Sequence, residues 1–316
     1  MSRVSIVVPS YRRPDRLVRG LGALARQRRP VDQIIVVCRP EDTETQAVAH
    51  GTAGVLPVEV TTPGVLAAMR AGARAADGDC IGFIDDDAEA REDWLERVMC
   101  HLSDSSVGAV GGRDIVDPEP GATLTSDVGR ITSIGKLVAN HHLGAGAARD
   151  VDVLKGANMV FRRAALALPD GLRGDGAQAH YEVATSLWAV DQGWRLVYDP
   201  AAIVDHLAGP RFDDDARQAP SARATRNAAF NLTICIGTLR PGLRHRRCIY
   251  GVLVGDREIP GLLRAGRAVL ERDASVTVRL IPSLRGQLAA YWRLHRRGTT
   301  IPMYRFPTPG IEEQAF

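Results

Sequence analysis

Three consecutive aspartates, Asp85–Asp87, directly follow the apolar segment 80–84. Carboxylates this close repel one another, so we expect a cation to compensate them. Asp85 and Asp87 are two residues apart, and in an extended segment their side chains point the same way. Such oxygen ligands suit Mg²⁺ or Mn²⁺, which keep positions for water and phosphate oxygens. The alternative is a solvated acidic turn that caps a helix over residues 89–102.

The apolar pattern of the first hundred residues predicts strands that alternate with helices. Continuous apolar runs rich in β-branched residues predict strands buried on both faces at 4–8, 33–38, 55–60 and 80–84. Helical segments between them indicate a doubly wound, mostly parallel sheet with helices on both faces. Ligands of such sheets bind at the carboxyl ends of the strands, which here are residues 9–13, 38–42 and 85–87.

The middle of the chain is less regular. Residues 117–150 form a long excursion, which in a compact domain is usually functional. The other predicted elements are strands at 107–116, 158–161, 194–198 and 202–204, a helix from about 163, and helices at 181–191 and 215–236. Pro241-Gly242 then marks a boundary. We therefore predict a domain at 1–236, with halves 1–116 and 117–236, and a mainly helical extension at 237–316.

Charge is distributed unevenly along the 316 residues, although the net charge is only +3. The extension has 14 arginines and six acids, which gives it +8 and leaves −5 for residues 1–236. A basic segment suggests an anionic partner, such as a membrane surface or another subunit, including a second copy of the chain. A solvated arginine-rich face is the alternative, and we do not expect nucleic-acid binding. The 45% hydrophobic content excludes global disorder.

Cysteine usage and hydropathy bear on the compartment. The five cysteines are widely spaced and include no C-x-x-C pair, so a disulfide framework and structural zinc are both disfavoured. We see no run of about 18 apolar residues that would predict a transmembrane helix. The first apolar run is too short for the core of a signal peptide. The sequence thus predicts a cytoplasmic protein, with a peripheral position on the inner membrane face as an option.

Four segments resemble the family 2 glycosyltransferases. Residues 4–14 (VSIVVPSYRRP) resemble the family's opening strand, and residues 64–87 resemble its segment that ends in D-D-D. Residues 154–163 (LKGANMVFRR) are similar to its G-x-N-M-x-F-R-R segment. Residues 181–206 are similar to its stretch from E-D to the final P-x-A-x-V-x-H. The four follow the family's order and spacing and cover about residues 1–235.

This resemblance implies a GT-A fold and sugar transfer, with inversion, from a nucleoside diphosphate sugar to a hydroxyl acceptor. It implies Mn²⁺ or Mg²⁺ held by Asp85 and Asp87, which match the ends of the D-x-D motif. His206 matches the histidine that ends the last strand, as a metal ligand or a diphosphate contact. Glu182 matches the general base, although Tyr181 replaces the usual first acid. A helix N-terminus would favour the ionised form that a base needs.

The resemblance also implies a set of donor contacts. Asp86 would hold ribose or sugar hydroxyls or cap the next helix, and Arg70 could reach a phosphate. The other residues that match donor-binding or pocket positions are Pro9, Ser10, Tyr11, Arg13 and Asn158. Cys38 replaces the acid that usually holds uracil or ribose, and Arg39 follows it. This departure leaves thymidine and guanosine donors open beside uridine.

Two features stay outside this assignment. Asn140, His141 and His142 suggest a metal site, but adjacent histidines on an extended chain face opposite ways, so an acceptor-loop role is preferred. The altered Tyr181 and Cys38 positions motivate a second hypothesis. In it the chain is a non-catalytic sugar-nucleotide-binding or membrane-docking component of a glycan assembly complex.

Overall fold

The computed structural model describes residues 2–116, 123–207, 209, 212, 221–296 and 299–307. Its strands are β1 (Val4–Pro9), β2 (Gln33–Cys38), β3 (Val55–Glu59), β4 (Cys80–Ile84), β5 (Ala88–Ala90), β6 (Val107–Ile115), β7 (Arg130–Ile131), β8 (Leu137–Val138), β9 (Arg149–Asp150), β10 (Asn158–Arg162), β11 (Ala167–Pro169), β12 (Arg195–His206) and β13 (Met303–Arg305). Its α-helices are α1 (Pro14–Ala25), α2 (Thr43–Gly51), α3 (Val65–Ala75), α4 (Trp94–His101), α5 (Tyr181–Asp191), α6 (Ala222–Leu239), α7 (Arg244–Leu253), α8 (Leu262–Leu270), α9 (Ala274–Thr277) and α10 (Leu280–Leu294).

Within the described residues, nine strands form the main sheet. Eight of them follow the order β3-β2-β1-β4-β10-β6-β12-β5, and β9 pairs with β12 beside this path. The β3-β2-β1-β4 half is parallel, as the sequence predicts. Strand β10 is antiparallel to both β4 and β6, and β5 and β9 are antiparallel to β12. The predicted doubly wound α/β sheet is present, and its second half is more mixed than the sequence indicated.

Two hydrophobic clusters cover the two faces of this sheet. In β1, Val4, Ile6 and Val8 face the cluster that contains the apolar sides of α1 and α4. Val7 faces the other cluster, which contains α3 and α5. Because side chains of a strand alternate between faces, a run buried on both sides is apolar except where a polar side chain has a partner. In β1 the exception is the buried Ser5, whose Oγ donates to Gln33 Oε1 at 2.6 Å and accepts from the backbone N–H of Gly78 at 2.9 Å.

Three predicted elements differ from the structure. The predicted strands 194–198 and 202–204 are one strand, β12, with a register shift between Asp199 and Ile203. The predicted helix over 89–102 begins only at Trp94, because Ala88–Ala90 pairs with β12 as an edge strand. In place of the predicted helix from 163 there is a short 3₁₀ turn, Arg163–Ala165. There the buried Arg163 guanidinium donates to the carbonyls of Ala76 and Gly78.

The C-terminal extension shares the core of the preceding residues. Helix α6 continues through the predicted boundary at 236/237, and the predicted helix start at 215 lies outside the described residues. Helix α10 packs along α6, and Gly237 lies against Leu294. Strand β13 pairs with β11, and Ile301 and Phe306 join the same hydrophobic cluster as α5. None of the described helices is both long and apolar enough to span a bilayer.

Gly72 tests the packing of α3 on the sheet. A Cβ there would overlap Val7 Cγ1 and approach Val37 Cγ2 to 3.0 Å. We expect Gly72→Ala to lower the free energy of unfolding by about 1–3 kcal/mol through overpacking. Gly22→Ala in α1 is the matched control, because its Cβ would meet only the flexible end of Arg26 at 3.2 Å. The control should gain about 0.5–1 kcal/mol in urea unfolding. Equal effects of the two substitutions would contradict this packing.

Candidate active site

The ends of β4 and β12 bring two acids and a histidine together. Strand β4 leads directly into Asp85–Asp87, and β12 ends at His206, which pairs with Ala88 of β5. One ligand atom each from Asp85, Asp87 and His206 lie within 4.8 Å of one another. Asp87 and His206 are buried, whereas Asp85 is partly exposed. The three residues predicted as metal ligands are thus adjacent in the structure.

A buried network of charged side chains extends from His206. Its Nε2 lies 3.1 Å from Asp87 Oδ1, and its Nδ1 lies 3.6 Å from Asp114 Oδ2. The Nζ of Lys155 is 2.8 Å from the same Asp114 oxygen. Sequence reasoning missed Asp114, which is fully buried near the end of β6. The available signal was the lone acid, preceded by Arg113, in a strand whose other residues are valine, isoleucine, alanine and glycine, since aspartate is almost never fully buried without a partner.

Protonation in this network follows from burial and pairing. Burial acts to raise the pKa of Asp87, but His206, Arg13 and the backbone N–H of Gly209 together hold that pKa well below its usual range. Burial acts to lower the pKa of His206, but hydrogen bonds to Asp114 and Asp87 raise it to about 9. At neutral pH the imidazolium therefore compensates the two buried carboxylates.

The donor set of Asp85, Asp87 and His206 fits a divalent cation. Carboxylate oxygens suit Mg²⁺ and Mn²⁺, and imidazole is a ligand typical of transition metals. Mn²⁺ matches both kinds of donor, and Mg²⁺ matches the carboxylates. A cation here would take over the charge compensation that protonated His206 otherwise supplies.

Asp86 holds the loop after β1. Ser10 Oγ donates to Asp86 Oδ2 at 2.6 Å, and Arg13 lies 2.8 Å from Asp86 Oδ1 and 2.9 Å from Asp87 Oδ2. Asp86 is fully buried, and this burial raises its pKa to about 7 against the effects of Arg13 and Ser10. It does not cap the next helix, because Asp93 occupies the N-cap of α4. Its contacts indicate that it positions Ser10 and Arg13.

The loop after β2 adds a stacked cation to the same edge. The guanidinium carbon of Arg39 lies 4.0 Å from the ring centroid of Tyr11, and Phe212 meets that ring edge-on at 6.3 Å. Pro9 ends β1 opposite Val37. The thiol of Cys38 is buried, 3.9 Å from the carbonyl oxygen of Val58. Of the two residues that depart from the family pattern, Arg39 thus contacts Tyr11 in the loop after β1, and Cys38 packs against β3.

Arg70 and Asn158 make contacts within the protein. Arg70 donates to the carbonyl of Pro169 and lies 2.9 Å from Asp170 Oδ1. The Asn158 side chain is fully buried, accepts from Trp94 Nε1 at 2.8 Å and donates to the carbonyl of Ala202 at 3.1 Å. These contacts indicate that Arg70 holds the segment after β11 and that Asn158 anchors α4 to the sheet. Ligand contacts for the two residues remain predictions.

Glu182 lies in the first turn of α5, and two other helices fix the loop before it. The backbone N–H of Leu66 in α3 donates to Gln178 Oε1 at 3.1 Å. The buried Asn231 of α6 donates to the carbonyl of Ala179 at 3.1 Å. His180 then adopts a left-handed conformation, with φ of 73°, as the N-cap of α5. The side chain of Glu182 is 23% exposed.

Burial raises the pKa of Glu182 to about 7, more than its backbone hydrogen bond and Lys155 lower it. This differs from the expectation that the helix N-terminus keeps it ionised, because desolvation outweighs the macrodipole here. The charges of Asp85 and Glu258 also raise this pKa, so both carboxylates lie near Glu182. The pKa of His180 is lowered to about 4 by burial and by Arg247, so its neutral ring gives Glu182 no ion pair.

Two other acids that lie near Glu182 in the sequence, and the first of the two adjacent histidines, make contacts elsewhere. Asp175 pairs with Arg223, and Asp191 pairs with Arg240 at the far end of α5. His141 is buried with Nε2 2.9 Å from the carbonyl oxygen of Val153, and burial lowers its pKa to about 4. In the described part of the chain, only Asp85, Asp87 and His206 form a group of three that could hold a metal ion.

The fold is thus a mixed α/β sheet in which β4 ends in an acidic cluster, with a histidine from β12 beside it. The model of the glycosyltransferase-like family 2 matches residues 2–224. The chain belongs to this family, which confirms the enzyme class predicted from the sequence.

Solved structures of low sequence identity share the fold. TarS (residues 1–349) from S. aureus, in complex with UDP-GlcNAc, has a TM-score of 0.60 at 13% identity, over 92% of this chain and 81% of that one. The mannosyltransferase PcManGT from Pyrobaculum calidifontis, in complex with GDP-Man and Mn²⁺, has a TM-score of 0.52 at 16% identity, over 92% and 86%. These similarities confirm the predicted GT-A fold.

A curated relative matches a shorter stretch. Glycosyltransferase AglE from Haloferax volcanii is 26% identical over 116 residues, which are 34% of this chain and 38% of that protein. The chain thus matches less than half the length of this relative. The similarity agrees with the family assignment.

Arg13 tests the charge compensation of the buried acids. Without it, Asp86 and Asp87 lose their nearest guanidinium, so we expect Arg13→Leu to lower the free energy of unfolding by about 3 kcal/mol in metal-free buffer. The loss is limited because Asp86, with a pKa of about 7, can take up a proton. Arg91→Leu is the control, since it removes an exposed pair with Asp205 and should cost less than about 1 kcal/mol. Equal losses in chemical unfolding would refute the compensating role of Arg13.

Proposed function

We propose that this protein transfers a sugar from a nucleoside diphosphate sugar to a hydroxyl acceptor, with Mn²⁺ or Mg²⁺ and with inversion at the anomeric carbon. The proposal rests on one observation. The ligand atoms of Asp85, Asp87 and His206 lie within 4.8 Å of one another, and Glu182 is close enough to Asp85 for their charges to interact. A cation site beside a carboxylate of raised pKa is the minimum that this reaction requires.

Asp85, Asp87 and His206 would hold the cation. When bound, the ion neutralises the charge that develops on the diphosphate leaving group. Arg13, held by Asp86 and Asp87, adds a fixed positive charge beside this position. The stacked pair of Tyr11 and Arg39 offers a flat cationic surface for the nucleotide. These residues would bind and orient the donor. The second half of the domain, residues 117–236, would bind the acceptor and supply the base.

Glu182 would accept the proton of the acceptor hydroxyl. The acceptor oxygen forms a bond to the anomeric carbon while the bond from that carbon to the diphosphate oxygen breaks, and the proton passes to the Glu182 carboxylate. Attack from the face opposite the leaving group inverts the configuration. A base whose pKa is about 7 is half ionised at neutral pH and still basic enough to accept a proton.

The positive charge of Lys155 would act both on the charged network around His206 and on the base. Its ammonium group is 2.8 Å from Asp114 Oδ2, and its charge lowers the pKa of Glu182. It therefore opposes the effect of burial and keeps part of Glu182 ionised. On the acceptor side, the turn that contains Glu258 belongs to the C-terminal extension, so the extension would help to shape the acceptor pocket. The acceptor could be a glycan, a lipid-linked hydroxyl or a small molecule.

The non-catalytic hypothesis depended on two substitutions, and the structure gives both a packing explanation. Tyr181 is buried, and a Cβ at Gly156 would overlap its hydroxyl, so the tyrosine fills the space that this glycine leaves. Cys38 packs toward β3 while Arg39 stacks on Tyr11. Neither substitution removes Glu182 or a proposed cation ligand, and these contacts favour the catalytic proposal.

The donor class can be found by thermal-shift measurements with UDP-, GDP- and dTDP-sugars, each with Mn²⁺, Mg²⁺ or EDTA. We expect one nucleotide to raise the melting temperature only when a divalent cation is present. Asp87→Asn should abolish that shift, whereas Asp191→Asn should leave it unchanged, because Asp191 pairs with Arg240 at the opposite end of α5 from Glu182. A full nucleotide shift in EDTA would refute metal-dependent donor binding.

The base is tested by Glu182→Gln in turnover assays with the donor so identified. We expect transfer to fall about 10²- to 10⁴-fold, while the metal-dependent thermal shift is retained. In the wild type, kcat should rise with pH through about 7, because Glu182 must lose its proton to act. At pH 6 about one tenth of the plateau should remain. Near-normal turnover of Glu182→Gln, with Asp175→Asn instead inactive, would move the base to Asp175.

A further inference from the structure

Helix α8 exposes its large apolar side chains and buries its small ones. Leu262, Leu263, Val269 and Leu270 are 49%, 68%, 64% and 87% exposed. Ala265 and Ala268 are the buried residues of this helix. The exposed positions recur every seven residues, which places them on one side of an α-helix. A helix that only covered the core would bury its large apolar side chains.

Basic side chains lie directly beside these exposed residues. A cavity of about 500 Å³ between α8, the turn after α7 and the β7–β8 loop is lined by Lys136, Arg257, Arg264 and Arg267. Leu263 lines the same cavity. Asp256 lines it too, and Arg257 and Arg267 approach Asp273 and Glu271 respectively, yet bases predominate. Residues 257–296 contain eight arginines and three acids.

We propose that the α8 surface docks on an anionic lipid bilayer. This surface is defined by Leu262, Leu263, Val269 and Leu270 together with the basic residues Lys136, Arg257, Arg264 and Arg267. The four apolar side chains enter the boundary between headgroups and acyl chains, and the four basic residues that line the cavity bind lipid phosphates. Helix α8 lies in the interface plane, because its nine residues are far too few to cross a bilayer.

Charge favours a lipid surface over a second copy of the chain. In a symmetric dimer through α8, the basic cavity of one copy would face the basic cavity of the other. Like charges that face one another lower the affinity. An anionic bilayer offers negative charge and an apolar layer at once. The proposal goes beyond the transfer reaction and does not depend on it.

The test is sedimentation of the full chain with vesicles of phosphatidylcholine, with or without phosphatidylglycerol. We expect binding only to the anionic vesicles, with a loss of affinity as salt rises from about 0.1 to about 0.5 M. Leu263→Glu/Leu270→Glu should weaken binding about tenfold or more. Val18→Glu is the matched control, because Val18 is an exposed apolar residue on helix α1, 54% exposed, and should have no effect.

Each other outcome overturns the proposal. Equal vesicle binding by the wild type and the double variant would show that α8 is not the contact. A dimer in light scattering that the double variant dissociates, without vesicle binding by the wild type, would assign the surface to self-association. A thermal shift with inorganic phosphate, without vesicle binding, would show that the basic cavity binds phosphate and not a bilayer.

Metal-dependent donor hydrolysis, measured without vesicles, separates this proposal from the proposed function. We expect the double variant to hydrolyse donor like the wild type, which also shows that it is folded. Absence of hydrolysis in the wild type, together with intact vesicle binding, would count against the transferase proposal and leave the docking surface standing.

Discussion

The site depends on how the protein compensates the negative charge that it buries at the end of β4. Asp86 and Asp87 are both buried, beside the partly exposed Asp85. Two cationic groups from opposite sides make this possible: Arg13 from the loop after β1, and His206 from the end of β12. Burying a carboxylate without such partners would cost several kcal/mol. The acidic cluster therefore requires that β1 and β12 end beside it, because they position Arg13 and His206.

The two aspartates that share Arg13 have opposite pKa shifts. Asp87 also contacts His206 and the backbone N–H of Gly209, so its pKa is low and it stays ionised. Asp86 has only Ser10 and Arg13 against stronger burial, so its pKa rises to about 7. One buried acid thus keeps a full charge available for a cation, while its neighbour holds the loop that carries Arg13. The different environments, rather than the residue type, separate the two roles.

The sequence predicted those parts of the fold and site that local pattern determines. Strands β1–β4 follow from the apolar runs, and the place of Asp85–Asp87 follows from the rule that ligands gather at the carboxyl ends of strands. His206 was predicted from the family resemblance. Asp114 and Glu258 could not be found this way. The partners of Asp114, Lys155 and His206, come from other parts of the chain. Glu258 lies near Glu182 only because the C-terminal extension folds back. The burial of Asn158 likewise depends on Trp94, which a different element supplies.

The pKa of Glu182 links the C-terminal extension to the candidate base. Burial is the main cause of this raised pKa, and α6 lies close by, because the charge of Glu182 raises the pKa of Cys235. From the extension, Glu258 adds a negative charge next to a turn whose Ile259 is buried in the shared core. Both effects raise the pKa, and only Lys155 and the helix backbone oppose them. A chain cut at residue 236 would lose Glu258 and the packing of α10 on α6. Its Glu182 would then be better solvated, with a pKa closer to that of a free glutamate and a weaker capacity to accept a proton.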